Sequence, residues 1–312
     1  MFSLLDYSDL LYVRLKERLV DMSKIYDGII GLVVGDALGV PFEFKERDTF
    51  KCEDMVGYGT YNLPAGTWSD DSSMTLSTVD AIITYKGKIN LDEIMKNFLR
   101  WYKYGEFTPY GECFDIGNTT RKAIRKYALE GNVSDCGCCD ISDNGNGALM
   151  RILPLVFIPC SYNGINTVSG LTHNHAISKQ GCRLYLAVAE QILKGNGFRH
   201  ILTDTIFCDE YSRIRDIYKL TRDDIKSTGY VVDTLEAALW CLYHTDNYKD
   251  CVLTAVNLGG DTDTIAAVAG GLAGLLYGCG GKNGIPKEWI DKIHRKYWIE
   301  TLCTMLSIYS NF

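Results

Sequence analysis

Two clusters of carboxylates and hydroxyls stand near opposite ends of the sequence and constrain the fold more than any other feature. One is residues 68–73 (WSDDSS), and the other is residues 256–264 (VNLGGDTDT). Each precedes a helix-like segment, where such side chains are common as caps. Adjacent carboxylates repel, however, unless a cation or a proton lies between them. If the two clusters share one site, the helices between them must fold as one domain.

The chemistry of the ligand atoms indicates which cation would suit such a site. Sites that offer only oxygen ligands favour hard cations such as Mg²⁺ or Mn²⁺. We therefore predict a magnesium or manganese site, with two ions, built from both clusters. The alternative is that these side chains only cap helices by accepting bonds from backbone N–H groups.

Composition excludes several classes of function. The 312 residues are 46% hydrophobic and 23% charged, which is typical of a globular protein. A net charge of −7 argues against a nucleic-acid scaffold but is compatible with one phosphorylated small molecule. We see no secretory signal, and the apolar stretch 265–279 is shorter than the roughly 18 residues of a membrane span. We expect a cytoplasmic protein with no membrane partner, whose twelve cysteines are free thiols.

Hydrophobic periodicity predicts an all-α fold of roughly ten to thirteen helices with no alternation of strands. We predict a single domain over residues 1–312, in which residues 1–24 could be an extension with an apolar face that includes Leu10, Leu11 and Leu15. A Gly-rich run, residues 27–39, is predicted to be a separate buried helix. The other predicted helices are residues 72–85, 91–104, 121–129, 176–193, 236–243, 248–256 and 265–278, with a helical region over 286–310 and a peripheral helix pair within 197–227.

Glu43 is a candidate acid or base because it stands between two aromatic residues, Phe42 and Phe44. Partial desolvation by aromatic neighbours would raise the pKa of its carboxyl group, which suits proton transfer. The alternative is a surface glutamate in a turn.

Two Gly/Asn motifs are candidate anion sites. Gly117 and Asn118 precede a predicted helix, and Asn146, Gly147 and Ala148 lie in a loop that we expect to open a helix. Backbone N–H groups at such positions can bind phosphate, although plain turns use the same residues.

The histidines and the clustered cysteines are weaker candidates for a metal site. His173 and His175 precede a predicted helix, and we expect them to cap it or contact a ligand, since no third ligand lies near. Cys136, Cys138 and Cys139 lack a second cysteine pair and a nearby histidine, so we predict a loop with free thiols there instead of zinc.

Taken together, these motifs resemble the ADP-ribosylglycohydrolase family, whose namesake is the dinitrogenase-reductase-activating glycohydrolase. The resemblance spans about residues 24–297, and its paired acidic motifs are the most specific part. It implies an all-α orthogonal multi-helix domain with two Mg²⁺ or Mn²⁺ ions at its centre. The motifs stand in the family's order: residues 35–39 (GDALG) with Glu43, 68–71 (WSDD), 146–151 (NGALMR), 172–173 (TH), 229–231 (GYV) and 258–264 (LGGDTDT).

The resemblance also implies roles for individual residues. Six match the metal ligands of the family: Ser69, Asp70, Asp71, Asp261, Asp263 and Thr264. Ser69 stands where many members have threonine. Glu43 matches a glutamate beside the metals, and residues 146–148 match the phosphate-binding loop, with Ala148 where many members have serine. His173 and Tyr230 match residues near the ligand.

The function implied is hydrolysis of the α-linked glycosidic bond between ADP-ribose and an acceptor, with a protein side chain as the expected acceptor. Asp70, Asp71 or Glu43 would accept the proton of the attacking water. Rival interpretations are a hydrolase of nucleobase-linked or O-acetyl-ADP-ribose, and a non-catalytic binding or structural relative. A structural relative would not need the full set of acidic ligands. Nucleic acid is expected only as a modified substrate, and the acceptor, cation and oligomeric state stay open.

Overall fold

The computed structural model describes residues 7–207 and 209–310, with the backbone alone for residues 7–21. This part of the chain forms one all-α domain without strands, as the sequence predicts. Its twelve α-helices are α1 (Tyr7–Gly39), α2 (Asp70–Thr84), α3 (Leu91–Tyr104), α4 (Asn118–Glu130), α5 (Tyr162–Gly170), α6 (Ala176–Leu193), α7 (Phe198–Asp204), α8 (Val231–Tyr243), α9 (Tyr248–Val256), α10 (Thr262–Tyr277), α11 (Lys287–Lys292) and α12 (Lys296–Ser307).

The centre of the domain is an antiparallel pair, α1 and α10, whose backbones touch. A Cβ atom on Gly35 would lie 2.1 Å from the carbonyl oxygen of Ala266, and one on Gly274 would lie 2.1 Å from that of Asp27. No side chain fits between the helices at these positions, because real contacts of a Cβ atom are longer than 3 Å. The glycines therefore allow an approach that any other residue would prevent.

The same contact sets where the second acidic motif lies. A Cβ atom on Gly39, at the end of α1, would lie 2.3 Å from the Cα of Asp263 in the first turn of α10. The first acidic motif occupies the corresponding position on α2, whose first residues are Asp70 and Asp71. Both motifs thus begin helices that the end of α1 brings together.

The first helix differs from our prediction, because residues 7–39 form one continuous helix and not two segments. Residues 22–42 are long and apolar enough to cross a membrane, although we took the stretch 265–279 to be the longest apolar one. In this fold 94% of the corresponding window is buried inside the protein. The proposed apolar face on Leu10, Leu11 and Leu15 lies outside the described side chains, and the extension stays a prediction.

Several local expectations were wrong. The loop at residues 143–151 opens no α-helix; it contains a 3₁₀ turn at Asn146–Ala148 and is followed by a 3₁₀ segment at Leu153–Phe157. Pro154 lacks an N–H group and therefore cannot continue the hydrogen bonds of an α-helix through this segment. Among the described residues of 197–207 and 209–227, only α7 is an α-helix, and 3₁₀ segments follow it. We did not predict α5, a short helix with two glycines that Ser161 caps by accepting from the Gly164 N–H.

We predict that Gly35→Ala lowers the free energy of unfolding by about 2–3 kcal/mol, because the added methyl group must push two helix backbones apart. The matched control is Gly197→Ala, where a Cβ atom would meet nothing within 4 Å and φ is −66°. We expect the control to change stability by less than about 0.5 kcal/mol. Urea unfolding of both variants measures the difference, and equal stabilities would contradict direct contact between α1 and α10.

Candidate metal centre and active site

The two acidic motifs meet where α1, α2 and α10 come together. Carboxylate oxygens of Asp36, Asp71 and Asp263 all lie within 4.8 Å of one another, and all three residues are buried. The Thr264 hydroxyl donates to Asp71 Oδ2 at 3.3 Å, which joins the second motif to the first. The structure therefore brings together clusters that are far apart in the sequence.

Asp36 is a member of this cluster that our sequence analysis did not select. It accepts hydrogen bonds from the Ser69 N–H at 2.9 Å and from the Ser72 N–H and hydroxyl at 3.0 and 2.5 Å. Burial raises the pKa of its carboxyl group to about 6. A signal was present, because Asp36 is the only charged residue in the apolar run from Gly28 to Phe42.

A second acidic group shares Asp263 with the first. Oxygens of Glu43, Asp115 and Asp263 also lie within 4.8 Å of one another. Asp115 was not selected from the sequence, although it directly precedes the motif at Gly117. Its backbone has a φ of 59°, and Tyr61 donates to its Oδ1 at 2.6 Å. Two overlapping acidic groups with one common carboxylate form an arrangement that could hold two cations.

Unpaired oxygens test whether these residues suit a cation. Glu43 Oε2, Asp71 Oδ1 and Asp263 Oδ2 are buried without a hydrogen-bond partner in the described part of the chain. A buried polar atom without a partner is costly, and a buried unpaired charge more so. Divalent cations between these oxygens would satisfy all three, so the residues fit a metal of the oxygen-binding kind.

The pKa values report the same crowding. Burial and then the neighbouring Asp115 raise the pKa of Glu43 to about 9. Burial, followed by repulsion from other carboxylates, raises the pKa of Asp70, Asp71 and Asp263 well above the usual range. Without a cation, burial and crowding therefore favour the protonated forms of these groups.

A cavity of about 340 Å³ opens above the acidic groups. Nine of the residues selected from the sequence line it: Glu43, Asp70, Gly117, Asn118, Asn146, Gly147, His173, Asp261 and Thr264. The others do not line it: Ser69 caps α2, Asp71 and Asp263 are fully buried, Ala148 is buried in its turn, and Tyr230 precedes α8 with 36% of its surface exposed.

Two helix starts, whose first N–H groups lack partners within their helix, border the cavity. Gly117 caps α4, so the first turn of that helix opens on the cavity beside Asn118. Opposite it, the side chain of Asn146 donates to Asp261 Oδ2 at 2.7 Å and ties the loop to the second acidic motif. The Asn146 N–H donates to the Gly229 carbonyl oxygen at 3.0 Å, which leaves the N–H of Gly147, the next residue lining the cavity, to bind a ligand.

The two histidines have separate roles in the structure. His175 caps α6 by accepting from the Ile177 N–H at 3.3 Å, whereas His173 is buried and lines the cavity. Burial, with the nearby positive charge of Arg151, lowers the pKa of His173 to about 3, so its ring is neutral. The expected capping therefore occurs at His175, and the contact of His173 with a ligand stays a prediction.

The cysteine-containing loop supports the backbone of His173. The Cys138 N–H donates to the carbonyl oxygen of Thr172 at 2.9 Å, and the Asn174 N–H donates to the carbonyl oxygen of Cys138 at 2.7 Å. Cys136 is buried, and the eleven cysteines of the described chain carry free thiols.

Other proteins resemble this chain over most of its length. A profile of the ADP-ribosylglycohydrolase family matches residues 17–311. The ADP-ribosylarginine hydrolase Tri1 of Pseudomonas putida (strain GB-1) is 37% identical over 302 residues, which cover 93% of this chain and 79% of that protein. The ADP-ribosyl-[dinitrogen reductase] glycohydrolase of Rhodospirillum rubrum is 31% identical over 281 residues, covering 86% of this chain and 89% of that protein.

A solved structure agrees with the sequence relatives. It is described as an ADP-ribosylglycohydrolase-related protein complex and superposes with a TM-score of 0.79 at 28% identity, covering 93% of this chain and 99% of its own. The predicted resemblance, fold and enzyme class are confirmed. This chain is therefore an enzyme that belongs to the ADP-ribosylglycohydrolase family.

Proposed function

We propose that this enzyme releases ADP-ribose from modified arginine side chains, with two Mg²⁺ or Mn²⁺ ions bound at the centre. The observation that carries the proposal is the pair of buried acidic groups that share Asp263 beneath an open cavity. The relative from Pseudomonas putida, named an ADP-ribosylarginine hydrolase, supports the arginine linkage.

The ions would be held by residues of both motifs, namely Ser69, Asp70, Asp71, Asp261, Asp263 and Thr264. The unpaired oxygens Asp71 Oδ1 and Asp263 Oδ2 support their assignment as ligands. Asp36 accepts from the Ser69 and Ser72 N–H groups and so fixes the first turn of α2, which carries Asp70 and Asp71. When bound, the ions would stabilise negative charge as it develops on oxygen atoms and help to orient the substrate.

Glu43 and Asp115 both line the cavity, which supports a role for them in proton transfer. Of the three carboxylates considered from the sequence, Glu43 and Asp70 line the cavity and Asp71 lies behind it. We propose that the pair of Glu43 and Asp115 accepts a proton from water as its oxygen bonds to the anomeric carbon of the distal ribose. The bond from that carbon to the arginine nitrogen breaks, and the pair returns the proton to the departing guanidine.

The charge of the cavity favours an arginine acceptor. Four carboxylates line it, from Glu43, Asp70, Asp115 and Asp261. A planar guanidinium next to carboxylates gains charge-assisted hydrogen bonds, whereas the hydroxyl oxygen of a serine linkage brings no positive charge to pair. Asp115, which its bond from Tyr61 holds in place, is the carboxylate that we assign to the guanidinium.

We predict that the enzyme releases ADP-ribose from an arginine-linked substrate in the presence of Mg²⁺ or Mn²⁺, and that it acts far more slowly on serine-linked, nucleobase-linked and O-acetyl-ADP-ribose. Chromatography of released ADP-ribose measures all four reactions under identical conditions. Faster release from one of the other three conjugates would indicate that its acceptor, and not arginine, is the one from which the enzyme releases ADP-ribose. A protein that cleaves none of them while binding ADP-ribose would support a non-catalytic role.

We predict that Asp263→Asn lowers turnover by more than about 100-fold, since even residues that only support metal ligands commonly contribute 10- to 100-fold. The amide keeps the size but loses the charge that holds a cation. The rise in melting temperature on adding Mn²⁺ should disappear in the same variant. Without metal, the variant should melt at or above the wild-type temperature, because one like charge is gone.

Asp250→Asn is the matched control for this experiment. Asp250 lies in the first turn of α9 and accepts from Asn247, away from the acidic groups. We expect wild-type turnover and a wild-type metal response from it. If Asp263→Asn behaved like this control, Asp263 would be only a residue of a helix start and the metal assignment would be lost.

The raised pKa values predict how the metal-free protein responds to pH. Glu43 has a pKa of about 9 in the native state against 4.5 ordinarily, so the native state binds more protons between these values. Stability in a chelator should therefore fall as pH rises, for instance by a few degrees of melting temperature from about pH 6 to about pH 8.5. Saturating Mg²⁺ should flatten the dependence. A melting temperature that rises with pH in chelator would contradict the crowding of buried carboxylates.

A further inference from the structure

The cavity poses an electrostatic problem for its proposed ligand. ADP-ribose carries a diphosphate, yet the cavity is lined by four carboxylates and, in the described chain, by no lysine or arginine. Bound cations would offset part of this repulsion at the acidic end. The end formed by Asn146, Gly147 and His173 has only neutral groups of its own, and it adjoins Asp261, to whose Oδ2 the side chain of Asn146 donates at 2.7 Å.

A positive charge lies directly behind that neutral end. Arg151 is fully buried, and its Nε donates to the carbonyl oxygen of Gly147 in the loop at 3.1 Å. Its Nη2 donates to Val168 O at 3.3 Å and to the Thr172 hydroxyl at 2.9 Å. These partners are all neutral, no carboxylate within the described residues pairs with Arg151, and its Nη1 has no hydrogen-bond partner.

Such a residue is costly for stability. A buried charge without an opposite partner is destabilising, and the ring of Phe98, 4.6 Å from the guanidinium carbon, offsets only part of the cost. Burial lowers the pKa of Arg151 to about 10, so it stays charged at neutral pH. An unneutralised cation beneath a loop suits an anionic ligand above it.

Arg151 also sets the orientation of the His173 ring. The Thr172 hydroxyl accepts from Arg151 and lies 2.8 Å from His173 Nδ1. The Thr172 hydroxyl then donates its single proton to His173 Nδ1. If Nδ1 carried the proton and donated to the hydroxyl instead, the buried hydroxyl proton would have no acceptor. The neutral ring therefore carries its proton on Nε2, which faces the cavity wall at Gly145 and Gly147.

We propose that Arg151 is a positioning residue for the diphosphate of the substrate. It holds the 146–148 loop through Gly147, and it directs the Nε2–H of His173 towards the cavity through Thr172. The loop N–H groups and the histidine donor then face one anion, with the arginine charge behind them. This inference rests on the proposed function, since the ligand it assigns is the diphosphate of ADP-ribose.

Two substitutions of Arg151 separate its charge from its geometry. Arg151→Lys keeps the charge but loses the forked donors, and Arg151→Met removes both at similar volume. We expect Arg151→Lys to weaken ADP-ribose binding by about tenfold in calorimetry, the usual worth of a charge-assisted hydrogen bond, and Arg151→Met to weaken it further. The melting shift caused by Mn²⁺ should stay at the wild-type value in both, because the acidic groups are untouched.

Thr172→Val tests the path to the histidine without changing the charge. We expect this substitution to shift the ring proton of His173 from Nε2 towards Nδ1. ¹⁵N spectra of histidine-labelled protein measure the position of this proton, and the His173 signal is identified by its absence from the spectrum of His173→Asn. Arg183→Lys is the matched control, because Arg183 donates to Asn166 on the far side of α6 and should leave both readings unchanged.

Folded Arg151 variants with wild-type affinity for ADP-ribose would overturn the proposal. Should those variants fail to fold, Thr172→Val decides, and an unchanged His173 tautomer together with unchanged affinity would refute it. Wild-type protein that does not bind ADP-ribose at all would instead contradict the proposed function, and this proposal with it.

Discussion

The direct backbone contact between α1 and α10 is the constraint on which the rest of the structure depends. Glycines at the crossing let Gly35 meet Ala266 and let Gly39 meet Asp263 without an intervening side chain. This places Asp36, one turn before the end of α1, within ligand distance of Asp263. A wider crossing would separate these carboxylates, so the packing of the core and the geometry of the site have one cause.

The hydrogen bonds that hold the site together come from neutral donors and do not neutralise its carboxylates. Asp36 accepts from the first turn of α2, and Asn146 donates to Asp261, so two carboxylates are fixed by neutral donors. Asp71 and Asp263 each keep one buried oxygen without a partner. The fold thus keeps repelling groups close together at a cost in stability, and a bound cation would remove that cost.

The cavity is lined by two chemically different sets of groups. Its carboxylates suit cations, both metal ions and the guanidinium of arginine, whereas Gly147 and His173 beside them offer N–H donors. An elongated ligand with a ribose at one end and a diphosphate further along matches this polarity. Arg151 acts from behind the donors and not on the surface, so the positive charge cannot form an ion pair with the carboxylates across the cavity.

The sequence by itself determined the elements whose information is local. The bounds of α3, α6 and α9 agree with prediction because strong periodicity and polar caps lie within those segments. The sequence also indicated the two acidic motifs, since each combines two aspartates with hydroxyl side chains at a helix start. Most of the residues selected for the cavity line it, including Gly117 and His173.

Only the tertiary structure decided which further residues join the site. Asp36 was hidden in a segment whose glycines suggested packing alone, and Asp115 reaches Glu43 through a left-handed backbone conformation. The same holds for Arg151, whose neighbours Val168 and Thr172 come from a different part of the chain. Contacts of this kind depend on how close two backbones come, and no pattern within a single segment carries that distance.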